Sequence, residues 1–83
     1  MTNPVTEPIN IRLKRLRDAC LFTQTGLSRE SGVPLPTIKD IERGVTRRPR
    51  SITLRALARA LQVEPQYLLS GAQHEQKIED NHV

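Results

Sequence analysis

The chain has a single cysteine, Cys20, no tryptophan, and only two aromatic residues, Phe22 and Tyr67. One cysteine excludes a disulfide framework and a four-ligand zinc site built within one chain. The two histidines, His74 and His82, lie too far apart for a local metal motif, so no metal or other cofactor is expected. The longest uninterrupted apolar stretch is residues 19–22, far short of the roughly 18 residues a membrane span needs. No nucleophile and base stand in a recognisable motif, which leaves little support for an enzyme. A chain of 83 residues buries only about 60% of the surface it exposes when unfolded. A two-domain enzyme with an interdomain cleft is thereby excluded, and the fold must stand on an aliphatic core.

What the chain does have is positive charge, unevenly placed. The net charge is +4, which by itself favours anionic partners without choosing among them. Residues 9–50 carry ten basic side chains against Asp18, Glu30, Asp40 and Glu42, a net of +6. Residues 51–71 contribute +1, and the ends are negative. Any electrostatic footprint therefore lies on the first half of the chain.

Residues 1–8 contain Pro4 and Pro8 but no basic n-region and no apolar run, so they read as a loose arm and not as a secretory or transit signal. Residues 72–83 are polar and read as a mobile tail. The domain is expected over residues 9–71, in a soluble, cytoplasmic protein.

Five short helices are predicted, and no segment alternates with the period of a strand. The first is anchored by Ile9, Leu13, Leu16 and Cys20, with Cys20 expected as a small core residue. Thr23 is placed to cap the second, with Phe22 and Leu27 spaced as a hydrophobic staple. Gly32 ends that helix at a position suited to positive φ, and Val33-Pro34 complete a very short turn. The third helix starts near Leu35, where Pro36 is tolerated because first-turn N–H groups have no intrahelical acceptor. Ile38 and Ile41 define its inner side, so Pro36, Lys39, Asp40 and Arg43 face outward with Thr37 on a flank. After Gly44 the chain loses periodicity around Arg47, Arg48, Pro49 and Arg50. Ser51 is expected to cap a fourth helix striped by Leu54, Leu57, Ala58 and Leu61, with Arg55 and Arg59 outside. Pro65 opens a fifth helix that Gly71 closes.

Two short helices joined by a glycine-containing turn form the helix-turn-helix unit, which lays its second helix in the DNA major groove. Length alone makes this a weak signal, but the joint pattern is specific. Thr23-Gln24, Leu27, Gly32-Val33, Ile38 and Ile41-Glu42-Arg43-Gly44 together resemble the Cro/repressor (XRE) helix-turn-helix family. Thr46-Arg47-Arg48-Pro49-Arg50, Leu57-Ala58, Ala60-Leu61 and Tyr67-Leu68-Leu69-Ser70-Gly71 are most similar to the small lambdoid phage repressors. The resemblance covers about residues 9–71. It implies an all-α, five-helix, lambda-repressor-like domain that binds double-stranded DNA.

The resemblance also implies roles for individual residues. Leu35, Pro36, Thr37 and Asp40 fall where bases are read, and Gln24, Arg47, Arg48 and Arg50 fall where the DNA backbone or minor groove is contacted; Lys39 joins the first set and Arg43 the second from their place on the exposed face of the third helix. Arg17 and Glu42 match a structural ion pair, and angular arithmetic independently sets both at the border of the core. Three departures from the family pattern stand out. Leu35 and Pro36 make no bidentate hydrogen bond, so they offer only apolar contact, for example to a thymine methyl. Ser28 stands where alanine is usual, and Gly26 costs a helix about 1 kcal/mol relative to alanine.

The function expected is a sequence-specific transcriptional regulator, a repressor acting as a homodimer on a palindromic operator, with no sensor domain attached. One of Leu68 and Leu69 is a candidate for facing a twin subunit. An autorepressing antitoxin or a restriction-modification controller would use the same domain, and a toxin or RNA polymerase contact is left open. An adaptor that binds protein and not DNA is the rival from another class, and the basic first half argues against it.

Overall fold

The computed structural model describes residues 7–71. Five helices follow in order: α1 (Ile9–Ala19), α2 (Gln24–Ser31), α3 (Leu35–Glu42), α4 (Ser51–Leu61) and α5 (Pro65–Ser70). No strand occurs among the described residues. Helix α1 packs on α3 and α5, α2 packs on α3 and α4, and α4 packs on α5. Leu13, Leu27, Ile38, Ile41, Leu57 and Leu68 lose all or nearly all contact with solvent at the centre of this arrangement.

Local chemistry accounts for most of the boundaries. The Thr23 hydroxyl accepts from the Gly26 N–H at 2.9 Å, satisfying one of the first N–H groups of α2. A Cβ on Gly26 would come within 3.2 Å of that hydroxyl and 3.6 Å of Phe22 Cδ1, so the glycine makes room for the cap. Gly32 ends α2 at φ 80°, where a side chain is disfavoured. Two expectations are corrected. Ser51 is the first residue of α4 and not its cap; Arg50 holds the cap position, without a side-chain hydrogen bond. Cys20 is exposed although its N–H still bonds to the Leu16 carbonyl in helical fashion at 3.1 Å: it caps the C-terminal end of α1, where Leu16 one turn earlier is already only partly buried. Its Sγ lies 3.9 Å from the Leu61 carbonyl at the domain edge.

The α1–α2 turn places Leu21 at φ 62° with 91% of its surface exposed. A leucine there suffers left-handed backbone strain of roughly 1–2 kcal/mol and packs against little that would offset it. Leu21→Gly should therefore raise stability by about 1 kcal/mol after allowance for the freer unfolded chain. In thermal unfolding this appears as a higher Tm, and an unchanged or lower Tm would show that the leucine makes compensating contacts.

Arg12 is the largest surprise in the packing: only 1% of it is exposed. Its position had a signal, since Ile9, Arg12, Leu13 and Leu16 are spaced i, i+3, i+4, i+7 on one helical face. The guanidinium donates from Nη1 to the Leu68 carbonyl at 3.2 Å and from Nη2 to the Glu7 carbonyl. The first of these satisfies a carbonyl in the last turn of α5 that has no intrahelical partner. Burial pulls the Arg12 pKa down, and the nearby Glu7 carboxylate opposes that shift.

Glu7 and Pro8, expected in the N-terminal arm, belong to the folded body; residues 1–6 and the tail at 72–83 lie outside the described residues. Arg15 donates to both Glu7 carboxylate oxygens, at 3.0 and 2.9 Å, and to the Tyr67 hydroxyl at 3.1 Å. The hydrogen bonds from Arg15 to the carboxylate hold the Glu7 pKa below its ordinary value, against a desolvation effect that would raise it. A carboxylate with a depressed folded pKa stabilises above its unfolded pKa of about 4.3 and loses that contribution as pH falls through the folded value. Glu7→Gln should therefore lower Tm at neutral pH and leave it nearly equal to wild type in strong acid. A constant difference across the acid range would assign the effect to packing instead.

Candidate nucleic-acid interface

Helix α3 turns Ile38 and Ile41 into the core. Pro36, Lys39 and Arg43 are consequently exposed and Asp40 is half-buried on the outer side, while Leu35 and Thr37 are half-buried on the flanks. The five residues expected to read bases thus lie on one short helix. Asp40 and Arg43 pair with each other, Nη2 to Oδ1 at 2.8 Å, so the only acid of this face carries its own counter-charge. The Asp40 carbonyl accepts from the N–H groups of Val45 and Thr46 at 2.9 and 3.2 Å, which ends the helix and starts the following loop.

That loop turns at Gly44, φ 83°, and is held down by buried Pro49. Arg47, Arg48 and Arg50 are all exposed. No hydrogen bond or ion pair engages any of the three among the described residues. Arg43, Arg47 and Arg48 line a groove of about 680 Å³ together with Pro8, Ile9 and Asn10 at the start of α1. Its one acid is Glu7, whose carboxylate is already engaged by Arg15.

Arg17 and Glu42 meet in a bidentate pair, Nε to Oε2 at 2.7 Å and Nη2 to Oε1 at 3.1 Å. Their side chains are 10% and 5% exposed. Arg17 also donates to the Phe22 carbonyl at 2.9 Å, joining α1, the α1–α2 turn and the end of α3. The bond to Glu42 raises the Arg17 pKa, so the guanidinium stays charged. Gln24 donates its amide to the same Glu42 oxygen at 3.1 Å. The residue expected at the DNA backbone is therefore oriented by a buried carboxylate, with its second amide N–H left to point elsewhere.

The helix-turn-helix family profile matches residues 13–68. The chain belongs to the Cro/repressor helix-turn-helix family. Among solved structures, the DNA-binding domain of the P22 c2 repressor in solution is 34% identical with a TM-score of 0.72, over 84% of this chain and 88% of that one. The P22 c2 repressor bound to the synthetic operator 9T is 34% identical with a TM-score of 0.73, over 81% of this chain and 100% of that one. As a member of this family the chain is a sequence-specific DNA-binding transcriptional regulator with the lambda-repressor-like fold. Among the described residues, no helix is long and apolar enough to cross a membrane, and no group of three or more His, Cys, Asp or Glu is placed to hold a metal ion.

Proposed function

We propose that this family member represses transcription by binding an imperfect palindrome as a homodimer. Helix α3 lies in the major groove, with Leu35 and Pro36 against thymine methyls and Thr37, Lys39 and Asp40 at polar base edges. Gln24, Arg43, Arg47, Arg48 and Arg50 track the backbone, and Arg50 is placed to enter a narrow minor groove. The observation that carries this reading is the set of three arginines directly beyond α3 that are exposed and without a partner among the described residues. In a folded domain such charges are satisfied by solvent alone until an anion arrives. The operator complex of the P22 c2 repressor supports double-stranded DNA as that anion.

Selection of binding sites from random duplex DNA tests the reading. A palindrome with half-sites one turn apart, about 34 Å, is expected from a two-fold dimer. With about four phosphates neutralised per protomer, log K should fall with log salt at a slope near −7. A single unrepeated site with half that slope would mean a monomer, and heparin competition with no preferred sequence would favour an adaptor with an incidental basic face.

A further inference from the structure

The turn between α2 and α3 is held at one residue by two hydroxyls. Ser28 Oγ donates to the Val33 carbonyl at 2.6 Å, and the Val33 N–H donates to Ser31 Oγ at 3.1 Å. Both backbone groups of Val33 are thus engaged by side chains of α2. Ser31 and Val33 are buried, at 7% and 5% exposure. Helix α3 meanwhile begins without a side-chain cap: its cap residue is Pro34, and Pro36 lies in its first turn. Neither proline has an N–H or a polar side chain with which to orient the helix.

From this geometry we infer that Ser28 and Ser31 are positioning residues for base readout, setting the angle at which α3 leaves α2. The inference rests on α3 being the base-reading helix. Eight residues of α helix extend only about 12 Å, and Asp40 lies about 10 Å from the Val33 pivot. A tilt of about 10° would move that end by about 2 Å, well beyond the roughly 0.5 Å window of a good hydrogen bond to a base edge. Long arginine side chains on the following loop can follow a phosphate through such a shift. Loss of the hydroxyls should therefore erode sequence preference while general DNA affinity persists. Alanine would fill nearly the same volume, so the hydroxyls are not there as packing.

The test compares the full chain with Ser28→Ala, Ser31→Ala, the double variant and Ser28→Thr. Each is titrated, at one salt concentration, with the duplex that the wild type selects and with an unrelated duplex of equal length. Urea unfolding of every variant shows that it is folded under the titration conditions. The double variant should bind the selected duplex about tenfold more weakly, a loss comparable to one misplaced base contact. Its binding to the unrelated duplex should stay within about twofold, with an unchanged salt slope. Ser28→Thr, which keeps the hydroxyl, should preserve the preference that Ser28→Ala loses. If Ser31→Ala disrupts folding, the Ser28 pair of variants decides alone. Equal losses on both duplexes, or an unchanged ratio, would overturn the assignment. A wild type with no preferred sequence would overturn the base-reading role of α3 itself, and this inference with it.

Discussion

Glu42→Ala should destabilise the domain by about 3 kcal/mol or more, the loss expected when one partner of a buried ion pair is removed. The Arg17 guanidinium would keep its charge at 10% side-chain exposure with only the Phe22 carbonyl and the edge of Asp18, 3.5 Å away, as remaining partners. Gln24 would lose its acceptor at the same time. Domains of this size have a total stability of roughly 4–12 kcal/mol, so the variant should approach the threshold of folding at 37 °C. Urea unfolding monitored by helical circular dichroism checks the value. Replacing both partners with apolar residues, as in Arg17→Met with Glu42→Leu, should recover much of the loss, because no buried charge is then stranded. If the single and double replacements cost the same, the pair acts by packing and not by charge.

Replacing Arg47, Arg48 and Arg50 together with alanine should have the largest effect on DNA. On the dimer reading, six of about eight phosphate contacts disappear, so the salt slope should flatten from near −7 to near −2. Affinity near physiological salt should fall by about a thousandfold or more, on specific and unrelated duplexes alike. Thermal stability should hardly change, since all three side chains are exposed and form no hydrogen bond or ion pair among the described residues. Gel-shift titrations across a salt series and a melting curve provide the comparison. A loss confined to the selected sequence would move these arginines from backbone to base contacts. A matching loss of thermal stability would show that the loop is structural.

These effects fall on residues of different legibility. The arginine loop could be found from sequence because its bases cluster around a proline between two periodic segments. The outer face of α3 followed from Ile38 and Ile41, which leave Pro36, Lys39 and Arg43 no other side. Arg17 and Glu42 could be set at the core border, and the structure adds the bidentate geometry and the third member, Gln24. The pairing of Asp40 with Arg43 was within reach, since residues three apart on a helix are neighbours. Ser28 was legible only as a serine where the family usually has alanine. Its bond to Val33 depends on the path of the turn, which spacing alone does not specify.

By itself the sequence determined the number and order of the helices, the helix-turn-helix and the family. Those features rest on interactions within a few residues: caps, prolines in first turns, glycines at positive φ and apolar stripes. Only the tertiary structure decided that Arg12 is buried, that Cys20 is exposed, that Glu7 joins the folded body and that two serines clasp Val33. A polar side chain goes where the packed elements bring a carbonyl or carboxylate within about 3 Å. That distance is set by how helices cross, and side chains far apart in sequence determine it.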